Sequence, residues 1–148
     1  MIHWFHRQDE AWEGRFKSRF FRNEDHQKDL LIYIEHSSAA GYAKKCVKSL
    51  NSLPESTVTA ICEGIVQSAK QGGLNEKWEL PALERATDIL QYCWFTAVYV
   101  NVPDDENNIN YIVEGEGEWG EAVGFVIRQN QLAYVGQDYF DAFNHENS

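Results

Sequence analysis

The sequence predicts an α+β fold: a mostly antiparallel sheet, made of an N-terminal hairpin and a C-terminal four-strand meander, with two to three helices packed on one face. Three observations lead there. Apolar residues alternate with polar ones before residue 37 and again after residue 92. Between those stretches they recur at helical spacing. The connections of the last third are short and polar, as antiparallel neighbours require.

Each element follows from its own stretch. The first ten residues, with Trp4 and Phe5, supply a short edge strand. In WEGRFKSRFF (12–21), Trp12, Phe16 and Phe20 point one way and Arg15, Lys17 and Arg19 the other, the pattern of a half-buried strand. NEDHQ (23–27) makes a polar turn, and KDLLIYIEH (28–36) is a second strand with Leu30, Ile32 and Ile34 on one face. Ala39, Ala43, Cys46, Val47 and Leu50 mark a helix, with Ser37 or Ser38 as its cap. Val58, Ile61, Cys62, Ile65, Val66 and Ala69 mark a second, with Ser52-x-x-Glu55 as its capping box and Gly72-Gly73 as its end. Leu80-Pro81 opens a third, with Leu83, Ala86 and Leu90 inward.

From Cys93 the period is two again. CWFTAVYVNV (93–102), INYIVEGEGEW (109–119), AVGFVIR (122–128) and QLAYVG (131–136) are strands, joined by turns at 104–108, 120–121 and Gln129-Asn130. The tail packs Tyr139, Phe140 or Phe143. The order is β-β-α-α-α-β-β-β-β in a single domain spanning 1–148, a length sufficient for a sizeable core. The pattern leaves open whether hairpin and meander share one sheet.

The chain starts MIHWFHRQDE, without a basic segment leading into an apolar run, so no signal peptide is expected. No apolar stretch approaches the ~18 residues of a membrane span. A soluble, cytoplasmic protein is the expectation. Cys46, Cys62 and Cys93 form no C-x-x-C pair and read as small buried hydrophobes in a reducing compartment.

The net charge of −10 is concentrated at one end. Residues 101–148 hold ten acids against one base, Arg128, and so carry −9. Such a field repels nucleic acid and anionic membrane and attracts a cationic partner.

GEGEWG (115–120) spells G-x-G-x-x-G, the fingerprint of a phosphate-binding loop. That fingerprint works only between a strand and a helix whose N-terminus meets the pyrophosphate. Here a strand precedes it and a strand follows. Glu114, Glu116, Glu118 and Glu121 crowd it, and carboxylates repel phosphate. The glycines read as strand positions facing bulky neighbours, or as a bulge.

The alternation matters more. Ile112, Glu114, Glu116 and Glu118 fall on one strand face; Tyr111, Val113, Gly115, Gly117 and Trp119 fall on the other. Same-face neighbours lie ~7 Å apart. Such a carboxylate row is a plain solvated face, a docking surface for a cationic protein, or a divalent-metal or acid–base site. A metal would need converging ligands, and an acid–base pair would need one carboxyl in an apolar pocket. His3-x-x-His6 lacks the usual partners of a metal site. No G-x-S-x-G, H-E-x-x-H or Walker sequence is present. No cofactor is expected.

The stretches LPALERATDILQYCWFTAVYVNV and NYIVEGEGEWGEAVGFVIRQNQLAYVGQDYFDAF resemble a family of small bacterial proteins of unassigned biochemistry. These stand beside polymorphic or contact-dependent toxins and are taken to be their immunity proteins. The family pattern runs from a Leu-Pro helix through a Trp-acid-x-Glu-His-Gly turn to a closing Val-Gly strand with an acid soon after. Trp119, Gly124, Val135, Gly136 and Asp138 match it, and the likeness spans residues 80–140. Gly120 replaces the family's acid, and Ala122-Val123 its Glu-His pair, which weakens any enzymatic reading.

The resemblance and the charge together imply an immunity protein, not an enzyme, that neutralises a cognate toxin domain with a basic surface. Glu114, Glu116, Glu118 and Glu121 are its expected contacts, Trp119 its apolar anchor, and Asp104, Asp105 and Glu106 a secondary patch. The alternatives are a metal-dependent hydrolase using the Glu114/Glu116/Glu118 row and a non-catalytic structural module, with oligomeric state undetermined.

Overall fold

A computed structural model describes residues 2–6, 11–71 and 78–145. Seven strands form one sheet: β1 (His3–His6), β2 (Trp12–Lys17), β3 (Asp29–Ile34), β4 (Cys93–Val100), β5 (Tyr111–Gly117), β6 (Ala122–Arg128) and β7 (Gln131–Gly136). They lie side by side in chain order. Every neighbouring pair is antiparallel except β3 and β4, which run parallel with Leu31 opposite Ala97 and Tyr33 opposite Tyr99. That pairing fuses hairpin and meander into one sheet. Its crossover contains α1 (Ala40–Asn51) and α2 (Glu55–Lys70), as a parallel connection demands.

The two periods place the core. On the helix-covered face, Phe16, Leu30, Ile32, Tyr111, Val113, Val123, Phe125 and Ile127 meet Tyr42, Cys46 and Leu50 of α1 and Val58, Ile61 and Ile65 of α2. Phe21, Phe95 and Phe125 form its aromatic centre, the Phe21 ring lying 5.0 Å and 5.2 Å from the other two. Each such side chain, fully buried, contributes about 1.5–3 kcal/mol. The thiols of Cys46, Cys62 and Cys93 are buried here, and burial pushes each up to about 12.

The chain's tail folds into a further helix, α3 (Tyr139–His145), on the opposite face. Tyr139 and Phe143, one turn apart, bury against Ile112 and Val126, while Phe140 stays exposed. Arg128 stands over the Phe143 ring and donates to the Phe143 carbonyl, placing a cation at the helix's C-terminal end.

Local corrections have local causes. Ser37 and Ser38 do not cap α1: residues Ser37–Ala39 form a 3-10 turn that runs into it, and Ala39 takes the N-cap. The Ser52/Glu55 capping box is absent, because Pro54 is the N-cap of α2 and its carbonyl receives the Thr57 and Val58 N–H groups. The expected end at Gly72-Gly73 lies outside the described residues. The third helix shrinks to a 3-10 helix over Ala86–Gln91, with Ile89 as its buried residue. The Asp88 carboxylate accepts the Glu84 and Arg85 N–H groups at 3.1 Å each, so the turn starts there and not at Pro81. The first hairpin is shorter than its apolar pattern: β2 stops at Lys17, and the chain bends to drive Phe21 into the core. Lys17 pairs with Asp29 across that hairpin at 3.2 Å. Among the described residues, no helix is long and apolar enough to cross a membrane.

Candidate partner-binding surface

The sheet's register disperses the acids that the sequence groups together. On β5, Ile112, Glu114 and Glu116 share the α3 face, while Tyr111, Val113, Gly115 and Gly117 face the main core. The strand ends at Gly117, so the carboxylate row holds two residues, not three. Glu118 begins the turn, its N–H donating to the Tyr92 carbonyl at 2.9 Å.

That turn settles the meaning of GEGEWG. Gly117 and Glu121 are joined by a backbone hydrogen bond of 3.0 Å, and Gly120 N–H donates back to the Gly117 carbonyl at 3.0 Å. Gly120 has φ 88°, which favours glycine. The motif is the end of one strand and the turn to the next; no helix opens from it. At Gly117 the Trp119 indole occupies the space that a Cβ would need.

Trp119 therefore does not serve as an exposed anchor. Its indole folds back over Gly117 into the core, is 1% exposed, and lies 5.3 Å from the Trp78 ring. Its Nε1 has no hydrogen-bond partner among the described residues.

Glu114 is also not a free surface acid. It is half-buried, and its Oε1 accepts the Tyr99 hydroxyl at 2.9 Å. Tyr139, held by burial first and then by Glu114 and Glu116, is pushed up to about 12. Burial, then the bond to Glu114, raises Tyr99 as well. Both phenols thus stay protonated beside the carboxylate.

The exposed acids collect at the ends of the sheet. The C-terminal end of β5, the start of β6 and the end of β7 lie at one edge, because Glu116 pairs with Ala122 and Gly124 with Gly136. Glu116, Glu118 and Asp138 are exposed there, with Glu121 half-exposed between them. Glu121 and Asp138 border a cleft of about 450 Å³ against Gln67 of α2 and Gln71, the C-cap of that helix. Asp104, Asp105 and Glu106, though exposed, belong to the 101–110 connection at the other end of β5. Seven strand residues put them roughly 20 Å away. Glu106 borders a pocket with Lys45 and Lys48 of α1, so its surroundings are of mixed charge.

Asp138 and the two glutamines are members of this edge that the sequence did not single out as contacts. A signal for Asp138 existed: in an antiparallel meander, alternate strands end at the same side, which places 137–138 beside 117–121. The glutamines had none, since their approach depends on how α2 crosses the sheet. Among the described residues, no three His, Cys, Asp or Glu side chains are grouped as a metal ion would require, and Glu114, Glu116 and Glu118 do not converge.

A family model described as a domain of unknown function (DUF6985) matches residues 4–142. No curated protein and no solved structure matches the chain.

Proposed function

This chain belongs to the DUF6985 family of domains of unknown function, and we propose that it acts as an immunity protein, neutralising a bacterial toxin domain by non-catalytic contact through the acidic end of its sheet. The observation that supports the reading is that exposed Glu116, Glu118 and Asp138 and half-exposed Glu121 fall at one edge of the sheet, where Glu121 and Asp138 border a polar cleft. A basic toxin surface, such as the cleft of a nuclease, is the complementary partner. Like charges grouped on a rigid sheet end cost little in water and steer an oppositely charged partner into register.

Co-expression tests it. The C-terminal domain encoded by the gene immediately upstream is produced with and without this protein, and growth is followed. Rescue of poisoned cells is the expected result. A toxic domain that this protein fails to rescue rejects the proposal.

A further inference from the structure

A groove of about 740 Å³ runs between the edge strand β1 and helix α1, away from the acidic end of the sheet. Ile2 and Trp4 form one wall. Gly41, Lys44, Val47 and Lys48 form the other, a spacing that keeps them on one side of α1. Val47 also belongs to the buried stripe of α1, with Tyr42, Ala43, Cys46 and Leu50, and stands at the margin of that stripe where it borders the groove. The helix thus has one apolar face, spent on the core, and turns Gly41, Lys44 and Lys48 to the groove beside the margin of that face.

Two features point to an occupant. The first is charge. α1 carries Lys44, Lys45 and Lys48 and no acid, in a protein of net charge −10. Lys44 and Lys48 are exposed, one turn apart, and neither joins an ion pair among the described residues. The second is space. A Cβ built on Gly41 meets nothing within 4 Å, so no packing demand explains a glycine in this helix. Glycine disfavours helix, and here it stands in open space at the border of the groove.

We propose that this groove binds a single-chain amphiphile with an anionic head, its alkyl chain lying along Ile2, Trp4 and Val47 and its head group held by Lys44 and Lys48. The volume is in the range of small-ligand sites, roughly 300–1,000 Å³. An apolar floor rimmed on one side by two ammonium groups matches that chemistry, whereas a neutral ligand would leave both lysines unused. The site does not depend on the acidic edge or on the immunity reading.

The test is calorimetric titration of the full chain with dodecanoate below its micellar concentration. Saturable one-to-one binding is expected. Gly41→Leu, which places a side chain in the groove while improving helix propensity, should abolish the binding without lowering the melting temperature. Lys44→Gln with Lys48→Gln should weaken it at least tenfold, and neutral dodecyl maltoside should bind at least tenfold more weakly than dodecanoate. Absence of saturable binding, or binding undiminished in both variants, overturns the proposal. So does binding of an acidic helical peptide by a chain that ignores dodecanoate.

Discussion

The Tyr99 hydroxyl donates to Glu114 Oε1 at 2.9 Å, across the β4–β5 pairing and beside Tyr139. This bond separates Glu114 from the other acids of its strand. Tyr99→Phe leaves the carboxylate half-buried without its donor and should cost about 1–2 kcal/mol. Glu114→Lys puts a cation among phenols and should cost more. Urea denaturation measures both; a Glu114→Lys protein as stable as the parent would return Glu114 to the plain surface.

The exposed acids should behave in the opposite way. Glu116→Lys with Glu118→Lys is expected to keep the melting temperature within the scatter of ordinary surface changes, about ±0.5 kcal/mol in stability. With the toxin domain in hand, the same pair should slow association at least tenfold at low salt. Asp104→Lys with Asp105→Lys, at the far end of the sheet, should leave the rate within twofold. Stopped-flow fluorescence reads both, and equal effects from the two pairs would dissolve the distinction between the ends.

Gly117 is where the hairpin tolerates no side chain. Gly117→Ala forces the Trp119 indole out of its place and should cost about 1–3 kcal/mol through overpacking. Trp119→Ala should cost about 3–5 kcal/mol, and it should do so with or without a partner. Thermal melts of the free protein decide this; a fully stable Trp119→Ala would place the indole at the surface.

Tyr42 ties the 101–110 connection to the core. Its hydroxyl donates to the Asn108 carbonyl at 2.7 Å and accepts the Asn110 N–H at 2.8 Å. Tyr42→Phe strands a buried N–H, at a cost of about 1–3 kcal/mol. Hydrogen exchange at Asn110 should accelerate in step. An unchanged exchange rate would show that another acceptor replaces the hydroxyl.

Alkaline pH should unfold the protein, first through its buried thiols and above pH 10 also through the phenols of Tyr42, Tyr99, Tyr111 and Tyr139, which burial raises likewise. The ordinary thiol value is 9.0, and burial raises Cys46, Cys62 and Cys93 to about 12. Below pH 9 both states keep these protons and stability is unaffected. As pH rises from 9 toward 12, the unfolded chain releases protons that the folded chain retains, so stability falls. Three thiols together give roughly 4 kcal/mol per pH unit, enough to cross a domain's total within that window. Urea midpoints between pH 7 and 11 test the slope; a flat line above pH 9.5 refutes it.

What was legible in the sequence was the periodicity. Leu30, Ile32 and Ile34, or Ile61, Cys62 and Ile65, read as strand and helix because burial on one side repeats with the geometry of each. The helix starts were misread because serine is a good cap only where the chain enters from an extended conformation; a 3-10 turn occupies that place before α1. The surface was half legible. Alternation sorted Glu114 and Glu116 from Tyr111 and Val113 correctly, yet it could not tell the solvated Glu116 from Glu114, whose fate depends on Tyr99 and on a helix formed by the tail. Trp119 failed for a related reason: past the strand's end, alternation no longer says where a side chain points.

The parallel seam between β3 and β4 also sets an order of events. Every other pair of strands is joined by a far shorter connection, whereas these two are separated by residues 35–92. The seam is also the shortest pairing in the sheet, three residue pairs from Leu31 to Tyr33. A long loop closed for few ladder bonds is slow to form and the first to part. The N-terminal hairpin and the C-terminal meander are thus two locally assembled units. The helical crossover is the clasp between them, and the last one-third of the chain, with its acids already in register, can take shape before the sheet is whole.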